Sequence, residues 1–128
     1  MKVGEVFKYR RKFTNLEVRI FGELTENTAL VHLETDPLGR LMVQGLLTAS
    51  LPIKIGTDLN LIGCQMEMKF VSPVYTEDTI TCSSLIERIE EIRKGTKIWC
   101  SWKCTNQNNE TVLIGSAIGI RIGQEPTL

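Results

Sequence analysis

A chain of 128 residues with 42% hydrophobic side chains can bury one sizeable core without disulfides or metal, and reads as one domain over residues 1–128. Fifteen basic residues against fifteen acidic ones leave no net charge, which argues against a nucleic-acid footprint. No apolar run reaches membrane-spanning length and the opening MKVGEVFKYRRKF lacks a signal-peptide core, so a cytoplasmic protein without membrane contact is expected.

Glu5 to Phe13 reads as a first strand, because Val6, Phe7, Tyr9 and Phe13 are β-prone among charged neighbours. Its basic cluster, Lys8, Arg10, Arg11 and Lys12, would suit phosphates, but the simpler reading is a solvated strand face. Thr14 followed three residues later by Glu17 is a capping-box pattern and predicts a helix start. Leu16, Ile20, Phe21 and Leu24 recur at helical spacing and predict the packed side, with Glu17, Arg19 and Glu23 on the polar side. Thr25 to Thr28 reads as loop, and His32, the only histidine, follows it. Asp36-Pro37-Leu38-Gly39-Arg40 is turn chemistry with room for one short helical turn.

Met42 to Ile55 is the most apolar stretch and predicts a largely buried helix beginning near Gln44. Pro52 conflicts with it, at a cost of about 3 kcal/mol inside a helix, so the helix is expected to kink there or to end its first part near Leu51. From Leu61 the period changes to two, and Ile62, Cys64, Met66, Met68 and Phe70 predict a half-buried strand. Thr79 to Ile92 is a long strand. Thr96 to Thr105 follows, with Ile98, Cys100, Trp102 and Cys104 on one face. Val112 to Ile122 completes a fifth strand, and 123–128 reads as a frayed tail. The four cysteines form no Cys-x-x-Cys pair. With a single histidine, a metal site is not expected, and reduced thiols would act as small apolar groups. Five strands with one apolar helix between the first and the rest predict an α+β fold, with the antiparallel sheet wrapped around a central helix.

Phe21-Gly22-Glu23-Leu24-Thr25, a polar residue at 27 and His32 together resemble the signature of the MaoC-like dehydratases and (R)-specific enoyl-CoA hydratases. That family's loop usually reads Gly-Asp-x-Asn-Pro-x-His. Here Asn27 stands at the aspartate and Ala29-Leu30 at the Asn-Pro pair. Phe70-x-x-Pro73-Val74 and then Glu77-Asp78, where the family usually has Gly-Asp, extend the likeness over nearly the whole chain.

The resemblance implies a hot dog fold, and a reaction that adds water to a trans-2-enoyl thioester or removes it from a 3-hydroxyacyl thioester. His32 would be the catalytic base, with Asn27 in place of its carboxylate partner. Gly45 would supply the oxyanion amide, and Gln44 and Ser50 would contact substrate. Glu26 and Glu34 are the neighbouring carboxylates that could replace the missing one. Takeover by Glu26 would need a rearranged turn. No cofactor is implied, since coenzyme A or an acyl carrier's pantetheine enters with the substrate. The expected assembly is a homodimer, or a heterodimer or higher oligomer with another hot dog chain. Because Asn27 cannot accept a proton, two other readings stand beside the hydro-lyase. One is a non-catalytic acyl-CoA-binding subunit or sensor. The other is an acyl-CoA thioesterase.

Overall fold

The computed structural model describes residues 1–122; the tail expected at 123–128 lies outside the described residues. Strands β1 (Val6–Arg11), β2 (Ile62–Phe70), β3 (Ile80–Ile92), β4 (Gly95–Thr105) and β5 (Thr111–Ile122) form one antiparallel sheet in the order β1-β3-β4-β5-β2. Helix α1 (Asn15–Thr25) and a 3₁₀ turn (Leu30–His32) lead to two consecutive helices, α2 (Gly45–Thr48) and α3 (Ser50–Asp58). The buried core joins α3, through Leu51 and Ile55, to the inner face of the sheet at Ile80, Cys82, Trp102, Cys104 and Leu113. Phe13, Val18 and Leu41 close it from the N-terminal side. Among the described residues no helix is long and apolar enough to cross a membrane.

The capping box forms as its spacing dictates. The Thr14 hydroxyl accepts from the Glu17 amide at 3.2 Å, and a Glu17 carboxylate oxygen accepts from the Thr14 amide at 2.9 Å. That backbone bond, followed by Arg11, holds the Glu17 carboxyl below its ordinary range. The cap is therefore complete at neutral pH and fades only as acid protonates Glu17 below that range. Thr14→Ala should cost about 0.5–2 kcal/mol in urea unfolding, as loss of a helix cap does.

The predicted apolar stripe of α1 is not its buried side. Leu16, Ile20 and Leu24 are 66%, 56% and 79% exposed, while Val18 and Gly22 carry the packing. Small residues approach more closely here than leucines could: a methyl group on Gly22 would sit 3.1 Å from the Asn27 carbonyl oxygen and 3.2 Å from the Gln44 amide nitrogen.

The central helix divides earlier than expected. Its first part ends at Thr48, and Ala49 is a turn residue. Pro52 becomes the third residue of α3, within the first turn, where a backbone N–H has no helical acceptor and its loss is tolerated. Asp36 to Arg40 is a turn without helix: the Asp36 side chain accepts from the Leu38 and Arg40 amides, and Gly39 takes a φ of 78°.

Strand β2 has the expected residues but not the expected burial. Only Met68 is half-buried, because β2 is an edge strand pairing with β5 alone and shifting register between Gly63 and Gln65. The opposite edge, β1, is rich in cations, with Lys8, Arg10 and Arg11, and so resists further pairing. Edge β2 has only Glu67 and Lys69. In β4 the predicted face holds: Ile98, Trp102 and Cys104 are buried and Cys100 is half-buried. Cys82 lies opposite Cys104 across β3 and β4, and a hydrogen bond to Cys104 together with burial pushes the Cys82 thiol well up, so it stays protonated.

Candidate active site

At the end of the sheet where β2 finishes and β5 begins, a cleft of about 860 Å³ opens between α1, the head of α2 and the segment 70–74. Asn27, His32, Gln44 and Gly45 all line it. They are close in space because distant segments are stitched together. The Met42 amide donates to Val31 O at 3.0 Å, Val43 to Val74 O at 2.8 Å, and Thr76 to Leu41 O at 2.9 Å. Residues 41–43 thus bridge the turn that carries His32 to the segment preceding β3.

His32 is half-buried, and its Nδ1 lies 2.6 Å from the Met42 carbonyl oxygen. A carbonyl only accepts, so Nδ1 carries the proton in the neutral ring and Nε2 keeps its lone pair. The ring is held in the tautomer of a base. Asn27 follows Glu26, the left-handed residue that ends α1, and its amide donates to Gly22 O at 2.9 Å. The backbone of Asn27 is fixed while its side chain is exposed at the cleft.

None of the residues lining the cleft is an aspartate or glutamate. Glu26 takes a left-handed φ of 57°, Glu34 is exposed, and neither lines the cleft. His32 is the one ionisable side chain among the described residues that line the cleft.

Gly45 opens α2, where backbone amides lack intrahelical acceptors. The Phe70 ring packs directly on it: a methyl group there would come within 2.6 Å of a ring carbon. Gln44 is buried and its Nε2 donates to Val18 O at 2.9 Å. Ser50 does not join them. Its hydroxyl donates to the Leu47 carbonyl at 2.5 Å, across the break between α2 and α3, and it does not line the cleft. Thr48, not anticipated from the sequence, does line the cleft; the only signal for it was its position four residues after Gln44. Among the described residues no group of three or more His, Cys, Asp or Glu side chains is arranged to hold a metal ion.

No family model and no curated protein matches the chain. Solved structures do. The R-hydratase PhaJ1 from Pseudomonas aeruginosa superposes with a TM-score of 0.84 at 19% identity, over 100% of this chain and 86% of that one. The chain has the hot dog fold. Other hot dog structures span comparable lengths. The MaoC-like dehydratase from Rhodospirillum rubrum matches at a TM-score of 0.79 and 18% identity, over 99% of this chain and 96% of that one. A chain of the ChsH1-ChsH2 complex from Mycobacterium tuberculosis matches at 0.76 and 16%, over 94% and 98%. At such identities the likeness concerns the hot dog fold, and what the site does has to be argued from its own residues.

Proposed function

We propose that this protein is a MaoC-like acyl-thioester hydro-lyase of reduced efficiency, in which His32 alone carries the proton transfers. The observation behind this reading is the Met42 carbonyl holding His32 Nδ1 at 2.6 Å, in a cleft shared with Asn27 and Gly45. In hydration, Nε2 takes a proton from water as the water oxygen bonds to carbon 3 of the enoyl thioester. Charge moves onto the thioester oxygen, for which the backbone N–H of Gly45 is the proposed donor. The imidazolium then returns a proton to carbon 2. Asn27 orients the water through its amide but takes no proton from it.

A second cavity of about 290 Å³ lies further along the helix–sheet layer, lined by Ile53, Ile55, Met66 and Trp102 among others, and offers room for a short acyl chain. Coenzyme A, or the pantetheine of an acyl carrier, is proposed as part of the substrate and no separate cofactor is invoked. The sparsely charged edge of β2 supports assembly with a second hot dog chain, a copy of this one or a different one.

The lack of any carboxylate in the cleft favours a second reading, a binding subunit or sensor that holds acyl-CoA without turning it over. Purified protein incubated with crotonyl-CoA separates the two. Loss of the enoyl absorbance, abolished in a His32 variant, supports the hydro-lyase. Saturable binding without turnover at high enzyme concentration supports the subunit. Release of free thiol from butyryl-CoA would instead indicate the thioesterase.

A further inference from the structure

The alternation of β1 divides the basic run that begins at Lys8. Arg11 turns to the helix side of the sheet, with Phe7 and Tyr9, and there pairs with Glu17 and lies over the Phe13 ring. Lys8 and Arg10 turn the other way, onto the outer face.

Register brings a third cation to them. Lys8 lies opposite Ser83 of β3, and Ser83 opposite Lys103 of β4. In the next row on that face, Arg10 lies opposite Thr81, and Thr81 opposite Thr105. Neighbouring strands run about 4.8 Å apart, so Lys8 and Lys103 rise about 10 Å apart on either side of a short serine. Long side chains flanking short hydroxyls make a trough, a groove of about 640 Å³ that reaches the turn between β4 and β5. Three cations, four hydroxyls and three side-chain amides line it, with no carboxylate and no apolar side chain among them.

Among the described residues, the side chains of Lys8, Arg10 and Lys103 make no ion pair, hydrogen bond or ring contact. Asp78, next to the groove residue Thr79, is buried and already accepts from the Tyr75 amide and from Gln107 Nε2, each at 2.9 Å. The groove therefore concentrates positive potential in a chain of zero net charge, and an anion complements it. The lining decides which kind. A protein partner needs an apolar or aromatic centre to its interface, and a single-stranded nucleic acid needs rings to stack on. Neither is offered here. Cations about 7–10 Å apart with hydroxyl donors between them suit linked phosphates, which carry several charges and accept at every oxygen.

We propose that this groove binds a small free anion with two or more linked phosphates, held by Lys8, Arg10 and Lys103 over the hydroxyls of Thr81, Ser83 and Thr105. It shares no lining residue with the cleft that holds His32 and does not depend on the thioester reading.

Calorimetric titration of the full chain with inorganic triphosphate tests it, at about 50 mM salt to keep screening weak. Saturable binding is expected, at least about tenfold tighter than that of inorganic phosphate, because several charge-assisted bonds form in place of one. Lys103→Gln should weaken it about fivefold, the upper scale for one exposed charge pair, and adding Arg10→Gln should abolish it. Lys94→Gln removes the same charge from the exposed turn at the other end of β3 and β4, and should leave binding unchanged. Absence of saturable binding overturns the proposal. So does an equal loss in Lys94→Gln and Lys103→Gln, which would mean that the whole surface attracts the anion. Poly-glutamate binding as tightly as triphosphate overturns it in favour of an acidic protein partner. Saturating coenzyme A should leave the triphosphate affinity unchanged; competition would overturn the free anion and assign the groove to the coenzyme's own diphosphate.

Discussion

Asn27→Asp should raise kcat/KM for crotonyl-CoA hydration by about 10²–10⁴-fold, the usual contribution of one general acid–base group. The substitution exchanges an amide nitrogen for an oxygen and changes little of the volume. Position 27 is held by its backbone amide to Gly22 O at 2.9 Å, a bond that the substitution leaves in place, so the new carboxylate should occupy the place of the amide. Its charge is tolerable there, because residue 27 is exposed and desolvation is slight. The gain is chemical: a carboxylate can take the water's proton while His32 serves carbon 2, so the two transfers no longer pass through one ring. The effect should lie in kcat, since an amide and a carboxylate both hold water in the ground state. Steady-state kinetics on both proteins decide it. An unchanged rate would mean that side chain 27 does not reach the reacting water, and would favour the binding subunit.

How far a sequence discloses its fold depends on the range of each interaction. The capping box of Thr14 and Glu17 is local, four residues long, and formed as its spacing implied. The strands were readable because a helix does not produce strict alternation over a run as long as Ile62–Phe70. Burial was harder. Leu16, Ile20 and Leu24 on α1 are as periodic as any core face, and periodicity does not say which side of a helix meets the sheet. The same holds for β2, whose apolar alternation is real but whose place at the sheet edge leaves it uncovered.

The site was legible only in part. His32, Asn27, Gln44 and Gly45 converge through pairings such as Val43 with Val74 that carry no local signal. Ser50 lies off the cleft lining, and its hydroxyl at the helix break donates to the carbonyl three residues back, a local bond that its place in the apolar run does not announce. Thr48 was overlooked because a threonine in an apolar helix looks like a β-branched core residue until its hydroxyl is found without a partner.

His32→Asn should lower hydration of crotonyl-CoA by at least about 10²-fold while leaving the protein folded. The choice of asparagine separates the ring's two duties. Its amide nitrogen reaches about as far as Nδ1 and can still donate to Met42 O, so the turn at Leu30–His32 keeps its tie to residues 41–43. Nothing remains at the position of Nε2 to take a proton. His32→Gln reverses the division, placing a polar group near Nε2 and leaving the Met42 carbonyl without its partner. Both variants should lose turnover, but only the glutamine should also lose stability, by about 0.5–1.5 kcal/mol for one hydrogen bond. Retained turnover in His32→Asn would remove the ring from the chemistry and reduce it to a strut between the turn and Met42.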